Sequence, residues 1–393
     1  MRLGIVASHP VQYQVPWYRA LAAKPDIDLR VYYALIPTPA QQGIGFGVDF
    51  AWDVPLLDGY PWTALENRAR SPSLSGFLKS RTPGMERVLA RDRPDAVVVS
   101  GWQSLPLLQA ARACGRLGIP CLVRGESSAL RERPWWTRAL HRRLLARFDA
   151  CLAIGRANLR FYRENGVAPE RLFLAPYFVD ERRFREQAER LLPERESIRR
   201  QWGLSPGDAC FLFAGKLVVK KRIADLLEAV AIARRAGVPA RVLVAGEGRE
   251  SERARRLAAE LDVPAAFAGF LNQTEISRAY VAADCLVLPS DYGETWGLVV
   301  NEAMVHGLPA IVSDRVGCGP DLVEDGVTGR VFPFGEHAAL ARAIVDLARR
   351  PERRREMGAR ARGRVAEYSA ERAVRGTLDA VRFAIGRRPR VVV

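Results

Sequence analysis

Apolar and polar positions alternate regularly along most of the chain. Short apolar runs, which are typical of buried strands, are followed by longer stretches in which apolar residues recur every three to four positions, as in amphipathic helices. The strands predicted in the first half are residues 3–7, 29–35, 96–100, 121–124, 150–154 and 172–175. Because strands that alternate with helices form parallel sheets with helices on both faces, the pattern predicts an α/β fold with doubly wound sheets.

A second series of the same kind follows a charged stretch. Residues 177–207 contain few apolar positions, and we predict the linker between two domains near the start of this stretch. The strands predicted beyond it are residues 209–214, 240–245, 265–268, 284–288, 310–313 and 329–332. The predicted domains are 1–178 and 179–366, two Rossmann-like units facing a cleft, and a helix in 367–393 is a candidate to cross back to the first domain.

One long region interrupts the pattern. Residues 36–80 are rich in Gly, Pro and aromatic residues, and a structureless connection of this length is unusual in a compact domain. We therefore expect short strands and a functional loop there.

Composition restricts the class of protein. Of the 393 residues, 48% are hydrophobic and 26% are charged, as in soluble globular proteins. No apolar run approaches the roughly 20 residues needed to cross a bilayer, and the chain opens with a strand rather than a signal peptide. The six cysteines are dispersed without a CxxC pair, which argues against a disulfide framework and a zinc site. These features predict a cytoplasmic protein.

The basic residues are distributed unevenly by type. The net charge of +16 favours an anionic partner, and only five of the 60 basic residues are lysines. Three of these, Lys216, Lys220 and Lys221, fall within six residues, directly after a predicted strand and Gly215. A lysine ammonium can reach a phosphate in a tight loop, so we predict that Lys216 and Lys221 bind a diphosphate. The alternative is a solvated basic turn that opens a helix.

Residues 289–309, PSDYGETWGLVVNEAMVHGLP, follow a predicted strand and lead into a predicted helix. In open α/β sheets, ligands bind beyond the carboxyl ends of strands, where a helix N-terminus offers N–H groups to an anion. Glu294 lies in the loop and Glu302 lies on the helix. Carboxylates accept hydrogen bonds from vicinal hydroxyls, so the pair suits a polyol that carries a phosphate. Alternatively, Glu294 is a solvated loop residue and Glu302 a surface residue.

A second glycine turn, Gly246-Glu247-Gly248, follows the predicted strand 240–245. It lacks the third glycine of a GxGxxG motif and does not indicate NAD, so we expect Gly246 to pack against the bound nucleotide. No DxD motif is found for this cleft, and the lysines could supply the cations that a diphosphate needs. We therefore expect no metal site.

Several motifs in a fixed order carry a resemblance to a known family. They are FAGKLVVKKR, VAGEGRE, FAGFLNQTEI, AADCLVLPSDYGETWGLVVNEAM and DGVTGRVF, preceded by SHPVQYQVPWYRAL and APYFVD. In these motifs the chain resembles family 4 of the retaining, nucleotide-sugar-dependent glycosyltransferases, which have the GT-B fold. The resemblance implies a retaining transferase that needs no cofactor besides a UDP- or GDP-sugar.

The resemblance also implies roles for single residues. Glu302 would bind the ribose hydroxyls, Glu294 the hydroxyls of the donor sugar, and Lys216 and Lys221 the diphosphate. The backbone of residues 296–297 would bind the distal phosphate. The residues predicted to surround the nucleotide are Gly215, Gly246, Leu271, Thr295, Trp296, Gly297 and Leu298. Two positions depart from the family pattern: Lys216 stands where arginine is usual, and Arg222 where glycine is common.

The first domain departs more strongly from the family pattern. Many members carry a histidine after the fifth strand, where this chain has Arg124-Gly125-Glu126. His9, in the first turn after a strand, is a candidate to contact the donor phosphate or the acceptor, although a lone histidine is more often structural. Arg124 and Glu126 are candidates to orient the acceptor.

Residues 131–147, RERPWWTRALHRRLLAR, combine arginines with Trp135, Trp136 and Leu140. A basic helix with aromatic anchors can lie on an anionic membrane surface, which would make the protein peripheral at the inner membrane face. The alternative is a helix whose apolar stripe packs on the sheet.

Taken together, these features predict a metal-independent glycosyltransferase with a nucleotide-sugar donor and a sugar, polysaccharide or lipid-linked acceptor. A nucleotide-sugar epimerase of the same fold is one alternative. A nucleic-acid-binding protein is another, but the arginines are scattered and no groove-reading or base-stacking module is found. A non-catalytic nucleotide-sugar sensor is the third.

Overall fold

The structure is a computed structural model that describes residues 1–387 of the 393-residue chain. The chain separates into two compact units. Of the described residues, the first unit comprises Met1–Gln42, Pro55–Tyr177 and Ala370–Arg387, and the second comprises Gly43–Val54 and Phe178–Ser369. Each unit contains one sheet of parallel strands, so the predicted fold class is confirmed.

The sheet of the first unit has seven strands in the order β3-β2-β1-β4-β5-β6-β7, and every neighbouring pair is parallel. The strands are β1 (Arg2–Ala7), β2 (Asp28–Tyr33), β3 (Trp62–Ala64), β4 (Ala96–Val99), β5 (Cys121–Val123), β6 (Ala150–Ala153) and β7 (Leu172–Leu174). The helices between them are α1 (Val15–Ala22), α2 (Pro39–Gln42), α3 (Met85–Asp92), α4 (Leu105–Leu117), α5 (Trp135–Leu145) and α6 (Arg156–Glu164). Central strands such as β4, with the sequence AVVV, are buried along their whole length because helices cover both faces.

The sheet of the second unit has six parallel strands in the order β10-β9-β8-β11-β12-β13. The strands are β8 (Ala209–Ala214), β9 (Ala240–Ala245), β10 (Ala265–Gly269), β11 (Cys285–Leu288), β12 (Ala310–Ser313) and β13 (Gly329–Phe332). The helices are α7 (Glu181–Leu191), α8 (Arg195–Gln201), α9 (Ile223–Arg235), α10 (Ser251–Glu260), α11 (Ile276–Ala282), α12 (Leu298–Val305), α13 (Gly319–Leu322), α14 (His337–Arg349) and α15 (Pro351–Ala366). This strand order is that of a Rossmann fold, with β8 as its first strand.

The charged stretch 177–207 is not an open linker. It folds as α7 and α8 on the second unit, and α7 buries Phe184 and Leu191, which lie two turns apart on one face. Arg199 on α8 is only 2% exposed and donates to the carbonyl of Ala282 at 2.7 Å and to Asp284 at 3.3 Å. Few apolar anchors and one buried arginine are therefore enough to hold a stretch that the hydrophobic pattern left unassigned.

The last helix, α16 (Ala370–Arg387), lies in the first unit and packs against α1, β6 and β7. Trp17 Nε1 donates to Thr377 Oγ1 at 3.2 Å, and both residues are buried. Gly376 allows the helix to approach the sheet closely, because a Cβ there would lie 1.9 Å from the carbonyl oxygen of Leu174. Among the described residues, none of the helices combines the length and the apolar character that crossing a bilayer requires.

One segment belongs to a different unit from the one predicted. The predicted first domain, residues 1–178, includes Gly43–Val54, but this segment groups with the second unit. The physical reason is an aromatic cluster: Phe46 and Phe50 lie with their ring centroids 5.1 and 4.3 Å from that of Phe270. Sequence position therefore assigned the segment to the wrong unit.

Candidate functional site

The centre of the second sheet is where its strand order reverses, with β9 and β10 on one side of β8 and β11 to β13 on the other. The loops that leave β8 and β11 therefore start from neighbouring carboxyl ends, at the position where open α/β sheets bind ligands. Residues 215–222, the lysine loop, follow β8, and residues 289–297, the glutamate loop, follow β11. The two motifs singled out in the sequence are thus adjacent.

Charged side chains connect the two loops. Lys221 Nζ forms an ion pair with Oε2 of Glu294, and only 12% and 13% of the two side chains are exposed. Lys220 Nζ donates to the carbonyl of Gly293 at 2.8 Å, and the N–H of Asp291 donates to the carbonyl of Lys220 at 2.9 Å. Lys221 and Glu294 are therefore held at one place, and neither is the solvated residue of the alternative interpretation.

Glycines allow the backbone of the lysine loop to pack against the next loop of the sheet. Gly215 has φ of 126° and Gly246 has φ of 145°, a region that side chains rarely adopt. A Cβ on Gly246 would lie 2.0 Å from the carbonyl oxygen of Gly215. Gly246 thus contacts the protein's own backbone, and its predicted contact with a nucleotide stays a prediction.

The glutamate loop ends at the N-terminus of α12. Gly297 precedes the helix with φ of 103°, and a Cβ there would lie 2.9 Å from a methyl carbon of Leu288. Trp296 is 3% exposed, and its Nε1 donates to Asn301 Oδ1 at 2.9 Å, which fixes the loop against the first turn of the helix. The first N–H groups of a helix, beginning here at Leu298, are the donors that an anion finds at such a terminus.

A glycine loop after β12 braces the glutamate loop from behind. Gly317 N–H donates to the carbonyl of Glu294 at 3.0 Å, and Cys318 N–H donates to that of Trp296 at 2.9 Å. A Cβ on Gly317 would lie 1.8 Å from the carbonyl oxygen of Thr295, so no other residue fits without moving the loop. The positions of Glu294, Thr295 and Trp296 are therefore fixed by backbone contacts.

Glu302 is a buried residue of α12 and not a surface residue. It is 2% exposed, and the hydroxyl of Tyr280 donates to its Oε2 at 2.5 Å. His306, at the end of the same helix, donates through Nδ1 to the carbonyl oxygen of Glu302 at 2.7 Å, and its ring stacks on Tyr280. Burial lowers the pKa of His306 to about 4. A carboxylate at such depth is costly unless polar groups satisfy it, which marks Glu302 as a residue with a specific partner.

Lys216 lies at the other end of the lysine loop, among residues of the Gly43–Val54 segment. Its Nζ donates to the carbonyl of Ile44 at 3.1 Å and lies 4.3 Å from the centre of the Phe46 ring. Burial lowers the pKa of Lys216, and the neighbouring Lys220 and Lys221 lower it further. Phe270, which belongs to the same aromatic cluster as Phe46, directly precedes Leu271, one of the residues predicted to surround the nucleotide.

The predicted residues of the first unit lie at the carboxyl ends of its strands. His9 follows β1, and its Nδ1 is 2.9 Å from Ser8 Oγ. Glu126 is exposed and accepts a hydrogen bond from the hydroxyl of Tyr177, whose pKa is raised mainly by burial. The roles of His9 toward the donor and of Glu126 toward an acceptor stay predictions.

Arg124 has a packing role that its sequence position did not indicate. It is 5% exposed, and its guanidinium lies between the rings of Trp17 and Tyr177, 4.7 and 4.5 Å from their centres. One of its nitrogens also donates to the carbonyl of Ala175 at 3.3 Å. These contacts hold the ends of the first sheet together, and acceptor orientation by Arg124 stays a prediction.

A large cavity of the second unit lies at the opposite edge of the sheet. It has a volume of about 970 Å³, and Ala209, Asp284 and Pro309 line it at the amino ends of β8, β11 and β12. Its inner arginines are engaged within the protein: Arg195 and Arg354 reach Asp284 at 2.9 and 3.5 Å. The cavity is therefore distinct from the candidate site, and its charged lining serves to hold α8 and α15 to the sheet.

Some residues of the site were not found from the sequence. Tyr280, the partner of Glu302, is one residue of an apolar helix, and Lys220 was part of the predicted lysine cluster but had no predicted role of its own. The contacts of Asp53 with Asn272 and Thr274 join segments that are far apart in the chain. The indication in the sequence was the length of residues 36–80 and their content of Gly, Pro and aromatic residues, which predicted a functional loop but not these contacts.

Two family models match the chain, one in each half. The model for glycosyl transferases group 1 matches residues 194–364, and the model for a glycosyl transferase 4-like domain matches residues 16–177. The D-inositol 3-phosphate glycosyltransferase of Rhodococcus erythropolis is 27% identical over 365 residues, which cover 84% of this chain and 80% of that protein. A GDP-mannose-dependent phosphatidylinositol dimannoside mannosyltransferase of Mycobacterium tuberculosis is 31% identical over 43% of this chain and 42% of its own length.

Solved structures share the fold over almost the whole chain. HepE of Anabaena, solved with UDP and glucose, has a TM-score of 0.72 at 16% identity, covering 97% of this chain and 99% of that one. Sucrose-phosphate synthase of Thermosynechococcus elongatus also has a TM-score of 0.72, at 18% identity, covering 99% of this chain and 100% of that one. At these identities the likeness shows the fold, which is GT-B. The chain belongs to the glycosyl transferases group 1 family, and it is a glycosyltransferase that uses nucleotide-sugar donors.

Proposed function

We propose that this protein transfers a sugar from UDP-sugar or GDP-sugar to a sugar, polysaccharide or lipid-linked acceptor, with retention at the anomeric carbon and without a metal ion. The observation that carries the proposal is the pairing of Lys221 with Glu294 at the switch point of the second sheet. A cation and a carboxylate held together there suit a ligand that carries both a diphosphate and sugar hydroxyls.

Different residues of the site suit different parts of the donor. Lys216, Lys221 and the N-terminus of α12 are the groups that favour the diphosphate. Glu294, beside them in the glutamate loop, takes hydroxyls of the sugar, and Glu302, set back on α12, takes those of the ribose. Glu302 keeps one carboxylate oxygen bonded to Tyr280, which fixes the orientation of the carboxylate.

The proposed chemical step is that of a retaining transferase, as the resemblance implies. The bond between the anomeric carbon and the diphosphate oxygen breaks, and the electron pair leaves with the diphosphate, where the two ammonium groups stabilise the added charge. An acceptor hydroxyl forms the new bond on the face from which the diphosphate departs, and its proton passes to an oxygen of that leaving group. The protein contributes position and electrostatic stabilisation.

The donor can be identified by thermal shift with UDP, GDP, ADP and their sugar conjugates. A ligand at about 100 times its Kd stabilises the folded protein by about 2.7 kcal/mol, which for a unit of this size raises Tm by several degrees. Proton NMR of the product made from that donor then gives the stereochemistry. An α-linked product from an α-linked donor is expected, and a β-linked product would contradict retention.

The metal-free proposal rests on the lysines, because ammonium groups can balance the charge of a diphosphate as a divalent cation does. Turnover should be unchanged after treatment with EDTA. A loss that Mg²⁺ or Mn²⁺ restores would contradict the proposal.

A membrane surface is the proposed location of a lipid-linked acceptor. Helix α5 packs Leu145, which is 1% exposed, and the ring of His141 against the first unit, whereas Trp135, Trp136 and Leu140 are 79%, 59% and 60% exposed. Trp136, Leu140 and the exposed Arg143 share one face. Aromatic and basic groups on one exposed helix face suit an anionic membrane, where each arginine near the surface contributes about 1 kcal/mol.

This surface can be tested by sedimentation with vesicles. The protein should sediment with vesicles that contain phosphatidylglycerol and stay in solution with phosphatidylcholine alone, and high salt should release it. Trp136→Glu should weaken binding at least about tenfold, since it removes an anchor and adds a repelling charge. The control is Phe77→Ala, which alters an exposed aromatic residue outside α5. Equal binding by wild type and Trp136→Glu would contradict the proposal.

The competing functions make different predictions. An epimerase would change the sugar of the donor without an acceptor, and proton NMR of the donor alone would detect this. A sensor would bind the donor without consuming it. Membership of a glycosyltransferase family does not favour a nucleic-acid-binding function, whose only support is the net charge.

A further inference from the structure

Residues Gly43–Val54, which we name the strap, leave the first unit after Gln42 and return to it at Pro55, but they fold on the second unit. The strap has a tight turn of its own: Phe46 N–H donates to the Gly43 carbonyl at 2.9 Å, and a Cβ on Gly43 would lie 2.1 Å from the carbonyl oxygen of Val48. The strap is therefore a shaped element and not a loose connection.

Polar contacts fasten one end of the strap to the loop between β10 and α11. Asn272 Nδ2 donates to the carbonyl of Ala51 at 2.9 Å, and the N–H of Thr274 donates to Asp53 Oδ2 at 3.0 Å. The hydroxyl of Thr274 donates to the same carboxylate oxygen. This loop contains Leu271, one of the residues predicted to surround the nucleotide.

Aromatic packing holds the middle of the strap. Phe46, Phe50 and Trp52 form one cluster with Phe270, the residue that follows β10. Ring centroids of the closest pairs in this cluster are 4.3 to 5.1 Å apart, which means that the rings are in direct contact. The position of Phe46 is thus set by the cluster.

The first residues of the strap contact Lys216. The Lys216 ammonium donates to the Ile44 carbonyl at 3.1 Å and lies 4.3 Å from the centre of the Phe46 ring. An ammonium has three N–H donors, and this arrangement uses one of them, while the ring stabilises the charge through its face. A flexible four-carbon side chain is therefore fixed at its tip with donors left for a ligand.

We infer that the strap is a positioning element of the donor site, in which Phe46 and the Ile44 carbonyl hold the Lys216 ammonium where it meets the donor diphosphate. The inference rests on the proposed function, because it takes Lys216 as a diphosphate ligand. Phe46 acts through Lys216 and is a positioning residue. The strap supplies the rigidity that the planar guanidinium of an arginine has by itself. Lysine can therefore bind the diphosphate at a position where the family resemblance implies arginine.

A double-mutant cycle on binding tests the inference. Affinities for UDP and GDP are measured by calorimetry for wild type, Phe46→Leu, Lys216→Met and the double variant. Phe46→Leu keeps an apolar side chain in the cluster but removes the aromatic face, and Phe46→Tyr restores the face. We expect Phe46→Leu to weaken binding about fivefold to tenfold with Lys216 present and less than about twofold with Lys216→Met, because the effect passes through the ammonium. Phe46→Tyr should bind as wild type does.

Each outcome decides one question. If Lys216→Met binds UDP and GDP as tightly as wild type does, the diphosphate placement itself is wrong and the inference falls with it. If Lys216→Met weakens binding but Phe46→Leu has no effect, or an equal effect in both backgrounds, the proposed function stands and the strap inference is overturned. Tighter binding by Phe46→Leu also overturns it, since the strap would then compete with the donor for Lys216. Phe77→Ala, outside the strap, is the control for aromatic loss and should bind as wild type does.

Discussion

At the scale of single residues, the candidate site consists of charged groups that the protein holds away from water. Glu302 is 2% exposed, and Lys221 and Glu294 are each exposed by little more than a tenth. Burial of charged groups is unfavourable unless they are paired or serve a ligand, so their joint location at a ligand-binding edge argues for function. Exposed ion pairs elsewhere on the protein carry no such implication.

The two glutamates should differ in which kinetic constant they affect. Glu302→Gln is expected to raise KM for the donor about tenfold or more with little change in kcat, because ribose contacts are alike in the ground and transition states. Glu294→Gln is expected to lower kcat about 100-fold, because in the proposed function Glu294 binds the sugar that is transferred, and its carboxylate pairs with Lys221. Steady-state kinetics with the identified donor provide both constants.

The matched control is Glu252→Gln, which changes a glutamate that is 80% exposed on α10. It should leave both constants within twofold of those of wild type. If Glu302→Gln and Glu294→Gln behaved as Glu252→Gln does, the assignment of the two carboxylates would be wrong.

Residue types at the site were predictable from the sequence, but their contacts were not. Because lysine is rare in this chain, its cluster indicated a diphosphate-binding loop. The strand–loop–helix pattern indicated a ligand site at Glu294 and Glu302. The bond from Tyr280 to Glu302 and the contact of Phe46 with Lys216 join distant segments. Such pairings depend on tertiary packing, which spacing along one chain does not encode.

At the scale of elements, the site is a set of short loops held by backbone contacts. The glutamate loop is bonded to the loop after β12, and the lysine loop packs on the glycine turn after β9. Loops fixed in this way lose little further conformational entropy when a ligand binds, which favours affinity. The glycines are therefore as important to the site as the charged residues.

Gly317→Ala should disturb the site through the backbone alone. Its new Cβ would lie 1.8 Å from the Thr295 carbonyl oxygen, so the glutamate loop must move, and we expect a loss of about 1–3 kcal/mol in stability together with most donor binding. Gly363→Ala is the matched control, because nothing lies within 4 Å of its Cβ and alanine favours the interior of α15 by about 1 kcal/mol. Thermal unfolding and UDP or GDP binding check both, and equal shifts in the two variants would contradict the bracing role.

His306 should make the stability of the second unit depend on pH. Burial lowers its pKa to about 4 from an ordinary value of 6.5, so between these values the unfolded chain binds a proton that the folded chain does not. As far as His306 determines it, the free energy of unfolding is therefore highest above about pH 6.5. It falls as the pH decreases to about 4 and is constant below that. The loss is of the order of 3 kcal/mol, at 1.36 kcal/mol per pKa unit.

His306→Gln isolates this contribution from those of other titrating groups. Urea unfolding of wild type and variant between pH 7.5 and pH 4 should show that wild type loses more stability than the variant does. Parallel pH profiles for the two proteins would show that His306 titrates normally.

At the scale of the whole molecule, two units with the same central strand order carry different groups at their carboxyl edges. The second unit carries lysines and glutamates, and the first carries His9, Glu126 and the aromatic environment of Arg124. The two sheets are alike and their loops differ, as expected where the loops at the end of a sheet determine function.

The doubly wound fold was predictable because strands and helices differ in their hydrophobic period, and that period survives in nearly every element. The unit to which the strap belongs was not predictable, because a chain segment can fold on a neighbouring unit without any change in local pattern. Helices α7 and α8 in the charged stretch were not predicted for a related reason: a few buried side chains outweigh its charged composition.

Calorimetry of UDP and GDP binding to wild type and to Lys221→Met decides whether the lysine loop binds a diphosphate, with Lys79→Ala as an exposed lysine control. We predict that at least one of the two nucleotides binds wild type. Lys221→Met should bind it at least about tenfold more weakly, because a charge-assisted contact to the diphosphate is lost. Lys79→Ala should bind it as wild type does. Equal affinities of wild type and Lys221→Met, or no binding of either nucleotide to wild type, would contradict this prediction.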